Sequence, residues 1–256
     1  MLSKREITDF CERGFVLVPQ AIPGDRAQAC REAVLSRLGE PGLDRVDQPG
    51  YVWIRDCFAD GPFSGLWSPR LRESVDCLLG AGAYIPPTSW GWWPISYPGH
   101  SPSEHQEPSE GWHIDGDDRH SLADPTRAVI LICLFSDIAP WGGGTFVEIG
   151  SHRKVIRHIA KYEALAGAVP HQEVNDFMHG RERGACVEIT GAMGDVVLMH
   201  PYAWHCRGHN YSSAVRVICN SRCVFGRRLN IRHPGNVLEE SIAHALMDSP
   251  DGDRFS

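Results

Sequence analysis

Long apolar runs are missing from this chain. No stretch of eighteen consecutive apolar residues occurs, so no membrane-spanning helix is expected. The opening residues Met1 to Glu6 run as charged sequence into Asp9, Glu12 and Arg13, without the apolar centre of a secretory signal. The expectation is a cytoplasmic protein with no membrane partner. An excess of positive charge is missing too: 25 basic residues face 32 acidic ones, a net charge of −7, which argues against nucleic acid as a partner. The nine cysteines form no Cys-x-x-Cys pair, and several lie in apolar runs, so reduced and mostly buried thiols are expected rather than a zinc site or a disulfide framework. The glycine triplet Gly142-Gly143-Gly144 is not followed by Lys-Ser/Thr, which removes a nucleotide-binding loop and leaves a tight turn. Repeats and low-complexity segments are absent.

What is present is ordinary globular sequence, 42% hydrophobic and 22% charged over 256 residues. Helical spacing of apolar residues predicts helices over 3–13, 26–38, 68–79 and 237–247. Strands are expected over 15–19, 89–97, 126–135, 145–149, 186–189, 195–199 and 215–224, separated by glycine, proline and aspartate turns. Strands following helices argue for a mainly β core with flanking helices. All-β cores of this length commonly form one unit, so we expect a single domain. Its helical part covers about 1–85, its β core about 86–225, and a last helix 237–247. The segments 98–109 and 160–183 read as irregular or mixed. The first precedes the candidate site and is a candidate lid.

The chemistry-bearing stretch is Trp112-His113-Ile114-Asp115. Residues two apart on an extended strand share a side, so His113 and Asp115 can converge on one volume while Trp112 and Ile114 face away. The apolar run 194–205 reads as a buried strand bringing a second histidine, His200 or His205, to the same place. Two histidines and one carboxylate form the facial set that holds non-haem Fe(II) and leaves positions open for a cosubstrate and O2. Arg216 lies in the apolar run 214–219, where a cation is costly unless it meets an anion, and its guanidinium fork matches a carboxylate.

The ordered set His113-x-Asp115, Gly144-Thr145, Gly150-Ser151-His152, Gly194-Asp195, His205, Asn210 and Arg216 resembles the phytanoyl-CoA dioxygenase family of Fe(II)/2-oxoglutarate oxygenases. The resemblance spans about residues 90–220 and is fainter at 7–23. It implies a double-stranded β-helix, that is, a cupin-like jelly roll. Within it His113, Asp115 and His205 would be the iron ligands. His205 is preferred over His200 because it stands eleven residues before Arg216. Arg216 would take the distal carboxylate of 2-oxoglutarate, with Thr145 and Arg207 as further cosubstrate contacts; many relatives have serine where this chain has Arg207. The implied reaction is hydroxylation of a small-molecule metabolite, with 2-oxoglutarate decarboxylated to succinate. Desaturation, epimerisation and cyclisation start in the same way. Relatives that halogenate have a small residue where this chain has Asp115, which argues against halogenation. Trp92, Trp112 and Trp204 are candidate substrate-facing aromatics and Arg153 a candidate counter-charge for the substrate. Two other readings stand beside this one. One is a cupin-type isomerase or hydrolase using zinc or manganese, and the other a ligand-binding jelly roll without turnover. The sequence leaves oligomeric state open.

Overall fold

The computed structural model describes residues 1–99, 105–116 and 118–247. The helices are α1 (Lys4–Arg13), α2 (Gly24–Ser36), α3 (Pro69–Leu79), α4 (Ser151–Ala166), α5 (His171–His179) and α6 (Val237–Met247). The strands of the first half are β1 (Phe15–Val18), β2 (Arg45–Gln48), β3 (Tyr51–Ile54), β4 (Tyr84–Ile85), β5 (Trp93–Ser96), β6 (Arg119–His120) and β7 (Ile130–Leu134). Those of the second are β8 (Thr145–Glu148), β9 (Val169–Pro170), β10 (Cys186–Glu188), β11 (Val196–Met199), β12 (His205–Arg207), β13 (Arg216–Arg222) and β14 (Val224–Phe225).

A seven-stranded sheet in the order β1-β11-β7-β13-β5-β3-β2 packs over a three-stranded sheet in the order β10-β8-β12, and every pairing is antiparallel. This is a jelly roll, mainly β with helices against one face. The central strand β7 shows why the apolar run exists. Ile130, Ile132 and Leu134 meet Val147 and Ile189 between the sheets, whereas Leu131, Cys133 and Phe135 join the core under the helices. A strand covered on both faces reads as continuous hydrophobic sequence rather than as an alternation. Polar N-caps start two of the outer helices: Ser3 and Glu6 form a reciprocal capping box on α1, and the Ser68 hydroxyl accepts the Leu71 N–H at α3. The nine cysteines are free, five of them buried. Among the described residues, no helix is long and apolar enough to cross a membrane.

Three features differ from the sequence expectation. The strand expected over 89–97 begins only at Trp93, because Trp92 takes a left-handed conformation (φ 60°) that breaks the extended run. The Gly-Ser-His turn at 150–152 opens directly into α4, and the mixed segment after it contains a second helix, α5. The hairpin β2–β3, not anticipated, extends the large sheet and brings Tyr51 and Trp53 to the cavity described below. The candidate lid 98–109 lies in part outside the described residues, as does Asp117.

Candidate metal centre and its cavity

His113 and His205 face each other across an isolated antiparallel bridge, exchanging both backbone hydrogen bonds at 2.9 and 3.0 Å. Directly opposed residues in such a bridge project to the same side. Their rings lie 4.5 Å apart between centroids. Asp115, two residues on from His113, brings its Oδ1 to 3.7 Å from each Nε2. The three ligand atoms all lie within 4.8 Å of one another, a span that one ion with bonds of about 2 Å can bridge.

The histidines are oriented alike. The Nδ1 of His113 bonds the Gly111 carbonyl at 2.9 Å, and the Nδ1 of His205 bonds the Ala203 carbonyl at 3.0 Å. A carbonyl only accepts, so each Nδ1 carries the proton and each Nε2 presents its lone pair to the shared volume. Burial, reinforced by His113, holds His205 down at about 4, against the pull of Asp115. At neutral pH His205 is a neutral imidazole rather than the cation of an ion pair, with the Nε2 lone pair available to a metal. This donor set fits a divalent metal.

Trp112 and Trp204 each precede one of these histidines on extended backbone, and the alternation that aims the ligands inward sends both indoles the other way. They are 3% and 2% exposed. Trp112 donates Nε1–H to the Pro108 carbonyl under the Arg183 guanidinium, and Trp204 packs edge-on to His179. Neither lines the cavity, so both expectations of substrate contact are corrected. Arg153 is corrected as well. It lies in the first turn of α4 and donates to the Cys11 carbonyl on the helix side of the molecule. His200, the alternative ligand, is fully buried against Phe10, His152 and Tyr202, away from the cavity.

The cavity holds about 750 Å³ and opens between β3, β5 and β13 on one side and β8 and β12 on the other. Arg216, Thr145, Arg207 and Trp92 all line it with the triad. Arg207 and Thr145 are direct partners in the β12–β8 ladder, and the Arg207 guanidinium lies 3.8 Å over the Tyr51 ring. Arg216 is 2% exposed. Its Nη1 and Nη2 donate to the Pro94 carbonyl (3.2 Å) and the Ser96 hydroxyl (2.8 Å), both neutral, and Nε has no acceptor among the described residues. Burial pushes this guanidinium down to about 10. A buried cation with neutral partners and an orphaned N–H is suited to an anion.

Other motif residues are architectural. The Ser151 hydroxyl accepts the Trp204 N–H at 2.8 Å and so pins the residue before His205. Asn210 donates to the Ser96 and Ala214 carbonyls and closes the turn before Arg216. The glycine triplet aims N–H groups at the Glu188 carboxylate, including that of Gly144 at 2.8 Å; this is an internal anion cradle rather than a nucleotide site.

The sequence reading missed a group behind Asp115. Arg127 is 5% exposed and donates to the Asp115 carbonyl and to Nδ1 of His120 (2.6 Å). Arginine cannot accept, so His120 carries its proton on Nε2 and gives it to Nδ1 of His171, 2.9 Å away on the cavity wall. Burial, with Arg127 beside it, holds His120 down at about 3 and therefore neutral. Gly116 leaves room for this guanidinium: it has φ 114°, and a Cβ there would overlap it. No local sequence pattern ties Arg127 to Asp115 or to His120.

No protein-family model and no curated protein sequence matches the chain. Solved structures do match. HygX from Streptomyces hygroscopicus, solved with nickel and 2-oxoglutarate bound, is similar over 88% of this chain and 88% of its own, with a TM-score of 0.56 and 15% identity. SnoK, a non-heme alpha-ketoglutarate-dependent carbocyclase from nogalamycin biosynthesis, is similar over 95% of this chain and 90% of its own, with a TM-score of 0.57 and 18% identity. EctD from S. alaskensis, solved with 2-oxoglutarate and 5-hydroxyectoine, is similar over 88% of this chain and 76% of its own, with a TM-score of 0.54 and 19% identity. At such identities the likeness is one of fold. The narrower phytanoyl-CoA dioxygenase resemblance rests on the motif order in the sequence alone.

Proposed function

We propose that the protein is an Fe(II)/2-oxoglutarate-dependent oxygenase that hydroxylates a small molecule. His113, Asp115 and His205 would hold the iron, and Arg216, with Thr145 and Arg207 beside it, would receive the cosubstrate. The observation that carries this reading is Arg216, a buried cation whose hydrogen-bond partners are neutral and which forms no ion pair among the described residues, Glu188 acting on it only at longer range, in the cavity that also contains the triad. A zinc or manganese cupin has no use for it, and the assembled His113, Asp115 and His205 count against a barrel that only binds a ligand. The solved structures of like fold add support, since HygX and EctD were solved with 2-oxoglutarate and SnoK is described as dependent on it. Bound together, iron and 2-oxoglutarate supply the oxidising chemistry, with O2 consumed and succinate and CO2 released.

The protein's own part is positioning. The two Nδ1–H···O=C bonds fix both imidazoles with Nε2 inward, so no tautomer change is needed on metal binding. Arg127 holds the backbone of Asp115 from behind. Arg216 would fix the far end of the cosubstrate at the wall of the cavity and leave the Trp92 side for the substrate. The test is calorimetric titration of nickel-loaded protein with 2-oxoglutarate. Arg216→Ala should weaken binding by at least about thirtyfold while nickel still binds with its original affinity. Unchanged 2-oxoglutarate affinity would remove Arg216, and this function with it.

A further inference from the structure

The geometry points to a planar ring compound bearing a carboxylate as the substrate class, its ring against Trp53 and Trp92 and its anion on Arg222. The inference rests on the function proposed above and follows from charge, spacing and shape.

The chain carries a net charge of −7, yet the described lining of its cavity contains three arginines, Arg207, Arg216 and Arg222, and a single carboxylate, Asp115. A divalent metal, Asp115, doubly charged 2-oxoglutarate and Arg216 neutralise one another, and Glu188, which acts on Arg216 from behind the lining, offsets Arg207 at the same cosubstrate end. Arg222 is then left over. Arg207 lies on the Tyr51 ring, which offers a π face but no negative charge. Arg222 is exposed and forms no ion pair among the described residues. An unneutralised cation on this wall attracts an anion and disfavours a cationic substrate.

Spacing separates this second anion site from the first. Arg216, Ile218, Asn220 and Arg222 alternate along β13 and all line the cavity. The six steps from Arg216 to Arg222 span roughly 20 Å, so a ring system fits between the cosubstrate anchor and Arg222. Ile218 supplies apolar floor to that stretch. Asn220 contributes an amide whose Oδ1 is buried without a donor, a place for a hydroxyl or N–H carried on the ring.

Shape comes from the tryptophans. Trp53 and Trp92 meet at 5.0 Å between centroids with an interplanar angle of 42°. Trp92 is 39% exposed and holds φ 60°, a conformation that is strained for a bulky residue. The backbone around it is clamped: Asn220 N–H donates to the Trp92 carbonyl at 2.9 Å, the Cys219 thiol contacts the Gly91 carbonyl at 3.1 Å, and Cys57 occupies the space a Cβ at Gly91 would need. Strain retained to keep an indole in a cavity wall is accounted for by a flat partner.

The test uses nickel-loaded protein saturated with 2-oxoglutarate and three probes: 2-naphthoate, 2-naphthylmethanol and decanoate, titrated by calorimetry. 2-Naphthoate should bind about three- to fivefold tighter than either of the others. Arg222→Gln should cost 2-naphthoate about three- to fivefold and leave 2-naphthylmethanol unaffected. Trp92→Leu should weaken both naphthyl compounds about fivefold and spare decanoate. Equal binding of the three probes, no binding of 2-naphthoate, its displacement of 2-oxoglutarate, or an unchanged affinity in Arg222→Gln would each overturn the assignment. Protein that binds 2-oxoglutarate but fails to prefer 2-naphthoate loses only the substrate class. Protein that does not bind 2-oxoglutarate loses the function on which it rests.

Discussion

At the inner end of the cavity the candidate side chains other than Asp115 are set by antiparallel pairing: His205 opposite His113, Arg207 opposite Thr145, Arg216 opposite Ser96. At the mouth, Trp92 projects from a strained turn, Trp53 comes from a hairpin at the sheet edge, and Arg222 stands on the exposed end of β13. The inner end contains the buried His205 and Arg216 with His113 and Asp115 part-exposed toward the cavity, and backbone carbonyls fix the tautomers and orientations of its two imidazoles. The mouth is aromatic, partly exposed and carries excess positive charge. One barrel thus combines a rigid ligand cage with a wall whose composition can vary without disturbing the sheets.

Neighbouring residues offer the largest contrast. Trp93 is wholly buried against Phe58, Phe63 and Phe135, whereas Trp92 faces the cavity. Trp93→Ala should destabilise the protein by about 3–5 kcal/mol. Trp92→Gly, which removes the indole together with its left-handed strain, should stay within about 1 kcal/mol of the parent. Urea unfolding of the two variants measures both, and equal losses would erase the distinction between core and wall.

Gly116→Ala attacks the inner end from behind. The added Cβ meets Arg127 at a positive φ, so a loss of about 2–3 kcal/mol is expected together with weaker nickel binding, because Arg127 holds the Asp115 carbonyl. Unchanged nickel affinity in a destabilised variant would separate the Arg127–His120–His171 chain from the metal site.

Acid should act next. Burial holds His120 at about 3 and His152 at about 4, below the ordinary 6.5. As pH falls from 6.5 toward 4, the unfolded chain takes up protons that the folded one refuses. The stability due to these neutral imidazoles is therefore complete above pH 6.5 and is lost on the way down. A urea midpoint lower at pH 5 than at pH 7 is expected, and a rise would contradict the burial of these rings as neutral species.

How much of this was legible in the sequence follows the same division. His113, Asp115, His205 and Arg216 could be nominated because ligand chemistry imposes spacing on strands, and the apolar runs of β7 and β11 reported double burial. Trp112, Trp204 and Arg153 were misplaced. The first two are neighbours of ligands, which on extended backbone puts them on the wrong face, and the third belongs to a helix that begins two residues earlier. The strand β2, with the sequence Arg45-Val46-Asp47-Gln48, carries no apolar alternation because it is a charged edge strand. The hairpin that supplies Trp53 left correspondingly little trace. Arg127 and His120 were invisible because their roles depend on a buried network formed only in the folded chain.

The central claim is that the inner end binds iron and 2-oxoglutarate together. Anaerobic titration of the apo-protein with Fe(II) and 2-oxoglutarate, followed in the visible range and repeated with His205→Ala, tests it most directly. A metal-to-ligand charge-transfer band that saturates in the parent and is missing from the variant is the predicted result. A folded protein that binds iron yet shows no band with 2-oxoglutarate, or a band of equal strength in His205→Ala, would contradict it.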